Sequence, residues 1–294
     1  MSGKRLSGSK SQRGRSRNID SKKANLEVAR FVGVSLSGGK NDKTCITSLE
    51  YYPQHHKIFL KDIKDKIPSE DEVSQDKFLL DILNKADRNL KYITIDSPLA
   101  LPFCLTHKCG GVEKCKAPTT KWQWAHYLKH KKKKKNLKLF TPYTERCVER
   151  YVNYELEEFF EMPEALGANK APLTVRSVYL KSKIKKKLLE VFPKISVWRI
   201  GTLFKISKND LKNYRHSVHG KECRAVFLQT LIEKDLLFIY DQDLHKLIEN
   251  PNAFESMVCA LTGYLKYKGQ CEKPPKNFPI QEGWIEFPLE NFNF

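Results

Sequence analysis

The sequence contains no apolar run near the roughly 18 residues that a membrane-spanning helix requires, and its N-terminus has no apolar signal core. These absences predict a soluble, cytoplasmic protein that does not engage membranes. Acidic residues are also scarce: 34 Asp and Glu stand against 53 Lys and Arg, a formal net charge of +19. Such an excess favours an anionic polymer or surface as partner and says nothing about fold. Paired C-x-x-C spacing is missing. Four of the eight cysteines (Cys45, Cys223, Cys259, Cys271) are scattered, which fits reduced thiols better than a disulfide framework. A second Gly-rich phosphate loop is missing too, so SGGKNDKT is weak ground for an ATP-using sugar kinase.

What is present predicts a basic tail and one α/β domain. Residues 1–26 hold almost nothing apolar and carry Arg13, Arg15 and Arg17 among eight basic side chains, so they cannot offset the entropy of ordering and are expected to be disordered. The tail reads either as a solubilising arm or as a phosphate-binding one. From residue 27 onward, VARFVGVSLS, Cys45–Tyr52 and Lys57–Ile63 read as three antiparallel strands in sequence. Ser69 followed by Glu72 has the capping-box spacing, and Leu79, Ile82, Leu83 and Ala86 mark a helix that leads into the strand KYITI. A helix over 144–161, a strand KLLEVF and helices near 195–204 and 220–233 follow. Asn250-Pro251 then opens a last long helix with Phe254, Met257, Val258, Leu261 and Leu265 as its apolar stripe. GWIEFP closes the chain as a short strand.

Three acids fall where chemistry is usually placed. Asp96 ends the strand of KYITIDSPLALP, and in open α/β sheets ligands gather beyond the carboxyl ends of strands. Glu190 sits in an apolar run, where a lone acid is expensive unless paired or bound to metal. Glu255 flanks the stripe of the last helix. The bland readings are a turn-initiating Asp, an edge-strand Glu and a solvated flank Glu. The insertion at about 103–140 adds two features. Cys104, His107, Cys109 and Cys115 lie within twelve residues and suggest tetrahedral zinc, with free thiols as the alternative. Lys131, Lys132, Lys133, Lys134 and Lys135 form a charge block that reads as a solvated loop or as a contact for a phosphate backbone. Trp122, Trp124 and Tyr127, just before it, read as core more readily than as base-stacking platforms.

The ordered set FVGVSLSGGKNDKT, ITIDSPLALP, LLEVFPKISVWRIG, NAFESMVCALTGYL and EGWIEFP resembles the predicted RNase H-fold nucleases called domain of unknown function 429. The resemblance runs from about residue 28 to the end. It implies a ribonuclease H-like mixed sheet, three antiparallel strands followed by parallel ones, with helices on both faces. It also implies a Mg²⁺- or Mn²⁺-dependent nuclease acting on DNA or RNA, with Asp96, Glu190 and Glu255 as metal ligands. Ser35 stands where the family's first-strand aspartate is expected, and a hydroxyl is a weaker ligand for a hard cation than a carboxylate. Asp42, across the turn, is a poor substitute by position. Two function classes are therefore carried forward: a metal-dependent nuclease, attenuated at Ser35, and a catalytically inactive nucleic-acid-binding protein of the same fold.

Overall fold

Alternating apolar residues build the first half of a seven-stranded sheet in the computed structural model, which describes residues 27–38, 43–67, 74–85, 87–107, 114–132 and 137–294. Strands β1 (Ala29–Ser35), β2 (Cys45–Tyr52) and β3 (Lys57–Lys64) form the antiparallel meander, with Ser35 opposite Cys45 and Ala29 opposite Tyr51. Helix α1 (Gln75–Asn84) leads into β4 (Leu90–Ile95), which pairs parallel to β1. The expected capping pair Ser69 and Glu72 lies outside the described residues. The cap of α1 is Ser74, whose hydroxyl accepts from the Lys77 amide at 3.3 Å.

Between β4 and the next strand come α2 (Pro118–Lys131), α3 (Cys147–Glu155) and α4 (Ala171–Lys183). The helix expected over 144–161 is thus limited to α3: Arg146 and Glu149 cap its start, and Leu156 turns extended at its end. Strand β5 (Leu188–Val191) pairs parallel to β4 and leads to α5 (Pro193–Leu203), α6 (Lys208–Asn213) and α7 (Gly220–Glu233). Then follow β6 (Leu237–Phe238), α8 (Asp241–Glu249), α9 (Pro251–Tyr267) and β7 (Ile285–Glu286). The strand order is β6-β3-β2-β1-β4-β5-β7, a mixed α/β sheet consistent with a ribonuclease H-like layout.

Two apolar layers sandwich this sheet. Val34, Ile46, Ile93 and Ile95 face α1 and α4 through Leu79, Leu83 and Leu180. On the other face α9 crosses β1, β2 and β4. The Asn250 side chain caps α9 by accepting from the amides of Asn252 and Ala253, as the sequence predicts. Every residue from Ala253 to Leu265 is buried, so α9 is a core helix and not a one-sided one, and Glu255 is enclosed with the rest. The contact is close because β1 contributes Gly33: a Cβ there would lie 1.9 Å from the Ser256 carbonyl oxygen and 2.4 Å from the Ala260 nitrogen. Both obstacles are backbone and cannot swing aside. Gly33→Ala is expected to destabilise the fold by about 3 kcal/mol or more, since overpacking against rigid atoms forces backbone shifts; urea unfolding of the two proteins measures this.

Candidate functional site

The carboxyl ends of β1 and β4 meet beside the start of α9, and three polar side chains converge there. The Ser35 hydroxyl donates to Asp96 Oδ2 at 2.7 Å, while the Leu36 amide and the Ser97 hydroxyl donate to Oδ1 at 2.8 and 3.3 Å. Asp96 is held in one orientation yet stays partly open to solvent. Glu255 lies close enough for the two charges to interact. Burial raises the Glu255 carboxyl above the ordinary range, the Arg215 guanidinium opposes that shift, and the Asp96 charge adds to it. The Tyr214 hydroxyl donates to Glu255 Oε1 at 2.7 Å, and Arg215 pairs with Oε2. For Arg215 burial works against the charged form, and Glu255, Tyr214 and Asp96 outweigh it. Tyr214 and Arg215 carry no sequence signal of their own and were not expected here.

Glu190 does not join this group. Residues paired in register on parallel strands share a face, and Glu190 pairs with Ile95, which lies in the layer with Leu79 and Leu180. Asp96 is one residue further along and faces α9 instead. The Glu190 carboxylate is taken by Arg146, whose Nη2 and Nη1 reach its two oxygens at 2.6 and 2.9 Å, and by the Leu99 amide at 2.8 Å. Arg146 is fully buried and also binds Glu149 Oε1 at 2.7 Å and the Glu282 carbonyl at 3.2 Å. Glu282 in turn accepts from the amides of Phe103 and Cys147, so this network ties the loop after β4 to α3 and the C-terminal segment. Of the three acids expected to converge, Asp96 and Glu255 come together with Ser35, while Glu190 is held in a structural ion-pair network with Arg146.

The remaining predicted ligands divide between described and undescribed residues. Cys104 lies in a short 3₁₀ turn, His107 is exposed with its ring stacked on Phe103 at 5.3 Å, and Cys115 is buried. These three do not form a ligand cluster, and Cys109 lies outside the described residues. Among the described residues, the one group of three potential ligands within 4.8 Å of one another is His126, His130 and Glu155. The spacing His-x-x-x-His on a helix was its available sequence signal. Lys131 and Lys132 are exposed at the end of α2, with the Lys131 ammonium 5.5 Å from the Tyr127 ring centre. Lys133, Lys134 and Lys135, with Arg13, Arg15, Arg17 and Asp42, lie outside the described residues. Tyr127 is buried and Trp122 packs against the core, as expected of them. No family model, curated protein or solved structure matches this chain.

The donor set at Asp96 and Glu255 consists of two carboxylates, one of them paired with Arg215. Each carboxylate oxygen offers about two acceptor sites. Asp96 Oδ2 and both Glu255 oxygens each accept one hydrogen bond from the partners above, so each retains acceptor capacity. Two carboxylates suit Mg²⁺ or Mn²⁺, which keep several waters and take further oxygens from a bound phosphate.

The Arg146 network fixes a stability prediction. Burial pushes Glu149 up to about 7 against the opposing pull of Arg146, and burial likewise takes Glu145 up to about 7 against Arg150. Both values lie above the ordinary 4.5, so the native state holds protons that the unfolded chain has released. That stabilisation is complete below the unfolded value and is lost as pH rises through about 7. Glu149→Gln is expected to flatten this part of the stability–pH curve, measured by denaturant unfolding across the window. Arg146→Met, which strands two buried carboxylates, is expected to cost about 3–5 kcal/mol at neutral pH.

Proposed function

We propose that this chain is a divalent-metal-dependent phosphodiester hydrolase acting on nucleic acid. The observation that carries the reading is the meeting of Ser35, Asp96 and Glu255 at the carboxyl ends of the two central strands, under the half-exposed Arg215. The net charge of +19 and the exposed Lys131 and Lys132 favour a polyanionic substrate. The resemblance to the RNase H-fold nucleases of domain of unknown function 429 points the same way.

Asp96 is the primary ligand in this reading, because it is partly exposed and its orientation is set by Ser35 and the Leu36 amide. Glu255, oriented by Tyr214, is the second. The bound ion would supply an activated water at neutral pH and stabilise charge on the phosphodiester oxygens. Arg215, whose side chain is 48% exposed, is free to leave Glu255 and bind a phosphate oxygen of the substrate. Ser35 holds Asp96 through a hydrogen bond and adds no charge, so the site carries two carboxylates where a third would strengthen it.

One observation favours a second reading, a nuclease-like binding protein: Arg215 already stands on Glu255 as an internal cation. The readings part on metal-dependent cleavage. Mn²⁺ is expected to support hydrolysis of single- or double-stranded DNA or RNA, and Asp96→Asn to lower it by at least about 100-fold, as loss of a metal's charge stabilisation implies. Binding of the same nucleic acids with no cleavage at millimolar Mn²⁺ would assign the binding role. Ser35→Asp is expected to tighten Mn²⁺ binding and, without metal, to lower the melting temperature, since crowded carboxylates repel. Equal metal responses in wild type and Ser35→Asp would place Ser35 away from the ion.

A further inference from the structure

We propose that His126, His130 and Glu155 form a zinc site that clips helix α2 to helix α3, separate from the Asp96 and Glu255 centre. His126 and His130 stand one helical turn apart on the same face of α2, their ring centres 4.3 Å apart. Glu155 ends α3, and its Oε1 lies 3.1 Å from His126 Nε2 and 3.0 Å from His130 Nε2. In a tetrahedral zinc site with bonds near 2.05 Å, neighbouring ligand atoms lie about 3.3 Å apart. The Glu155 oxygen thus already stands at nearly the edge length of a zinc tetrahedron from each imidazole nitrogen, and the three ligand atoms all lie within 4.8 Å of one another.

Burial makes the arrangement costly without an ion. The His126 side chain is 4% exposed, and neither of its ring nitrogens makes a hydrogen bond among the described residues. Its Nε2 is close to Glu155 but not aligned for donation. A buried polar group left in this way costs about 1–3 kcal/mol, and a metal bond at Nε2 would satisfy one of the two nitrogens. Burial of the ring favours the neutral imidazole, the form that binds metal. Arg150 is the unfavourable neighbour, and its pairing with Glu145 at 2.9 Å moderates its repulsion of a cation.

The site also contains a cation that can be displaced. The Lys129 ammonium lies 2.6 Å from the same Glu155 Oε1, on a side chain that is 55% exposed. It neutralises the carboxylate when no metal is bound and has open solvent to move into. A cavity of about 490 Å³, lined by Trp122, Ala125 and Tyr151 with His126, Lys129 and Glu155, gives room for water at the fourth coordination position. Two imidazoles and one carboxylate form a borderline donor set, which selects zinc over magnesium or calcium.

Zinc titration into the chelator-stripped full-length protein, followed by calorimetry and by Co²⁺ absorption, tests this. One Zn²⁺ per chain is expected, with Co²⁺ giving the visible bands of a four-coordinate centre. His130→Gln is expected to weaken binding by about tenfold or more. Lys129→Ala, at an exposed side chain that leaves the packing intact, is expected to bind at least as tightly as wild type. Asp96→Asn is expected to bind zinc as wild type does, which keeps this site distinct from the proposed hydrolase centre. No uptake by wild type, or weaker uptake by Lys129→Ala, would overturn the site. Undiminished uptake by the His126→Gln, His130→Gln double variant would do the same and move the metal to the cysteine loop.

Discussion

Gly33 has no side chain, and helix α9 takes the space that one would occupy. With the Ser256 oxygen and the Ala260 nitrogen inside the reach of a Cβ, the helix backbone rests on the central strand itself. This close approach brings Glu255, one turn into α9, beside the carboxyl end of β4, where Asp96 waits. A second tether fixes the height of the helix over the sheet: the hydroxyls of Thr47 on β2 and Ser256 on α9 are 2.6 Å apart. Glu255 is therefore buried by packing and not by choice of its own chemistry, and its raised pKa follows from that packing.

Two patches of the molecule treat buried charge in opposite ways. On one, Arg146 is completely enclosed, with Glu190, Glu149 and the Glu282 carbonyl meeting its donors, and there is no solvent for it to move into. Removing one partner of such a network strands the others, so its role is structural. On the other, Arg215 is half in water and pairs with Glu255. The same arrangement recurs at Glu155, where Lys129 is the half-exposed cation. In both places an acid is neutralised by a side chain that is about half exposed.

Much of the fold is legible from local chemistry. Period-two alternation marks the meander, Asn250-Pro251 marks the start of α9, and the Tyr92–Ile95 strand delivers Asp96 to its end. The position of Glu190 is not legible locally. Its face is set by register against β4, a tertiary pairing that moves every side chain to the other face with a shift of one residue. Helix α2 is hidden by its Lys-rich polar composition, because an amphipathic stripe is the main helix signal and α2 is held instead by buried Thr119, Gln123, His126 and His130. The partners of Glu255 are equally silent, since Tyr214 and Arg215 follow a short helix 40 residues upstream and reach it only in the folded chain. His126 and His130 do carry a signal, in their one-turn spacing on α2.

The central claim is that a hard divalent cation binds between Asp96 and Glu255 on the α9 face. Crystals soaked in Mn²⁺ and measured at the manganese absorption edge test it without relying on activity. An anomalous peak bonded to Asp96 and Glu255, with Arg215 displaced from Glu255, is the predicted result. Saturating Mn²⁺ with no peak at Asp96, or a peak bonded to Glu190 in place of Arg146, would contradict the account.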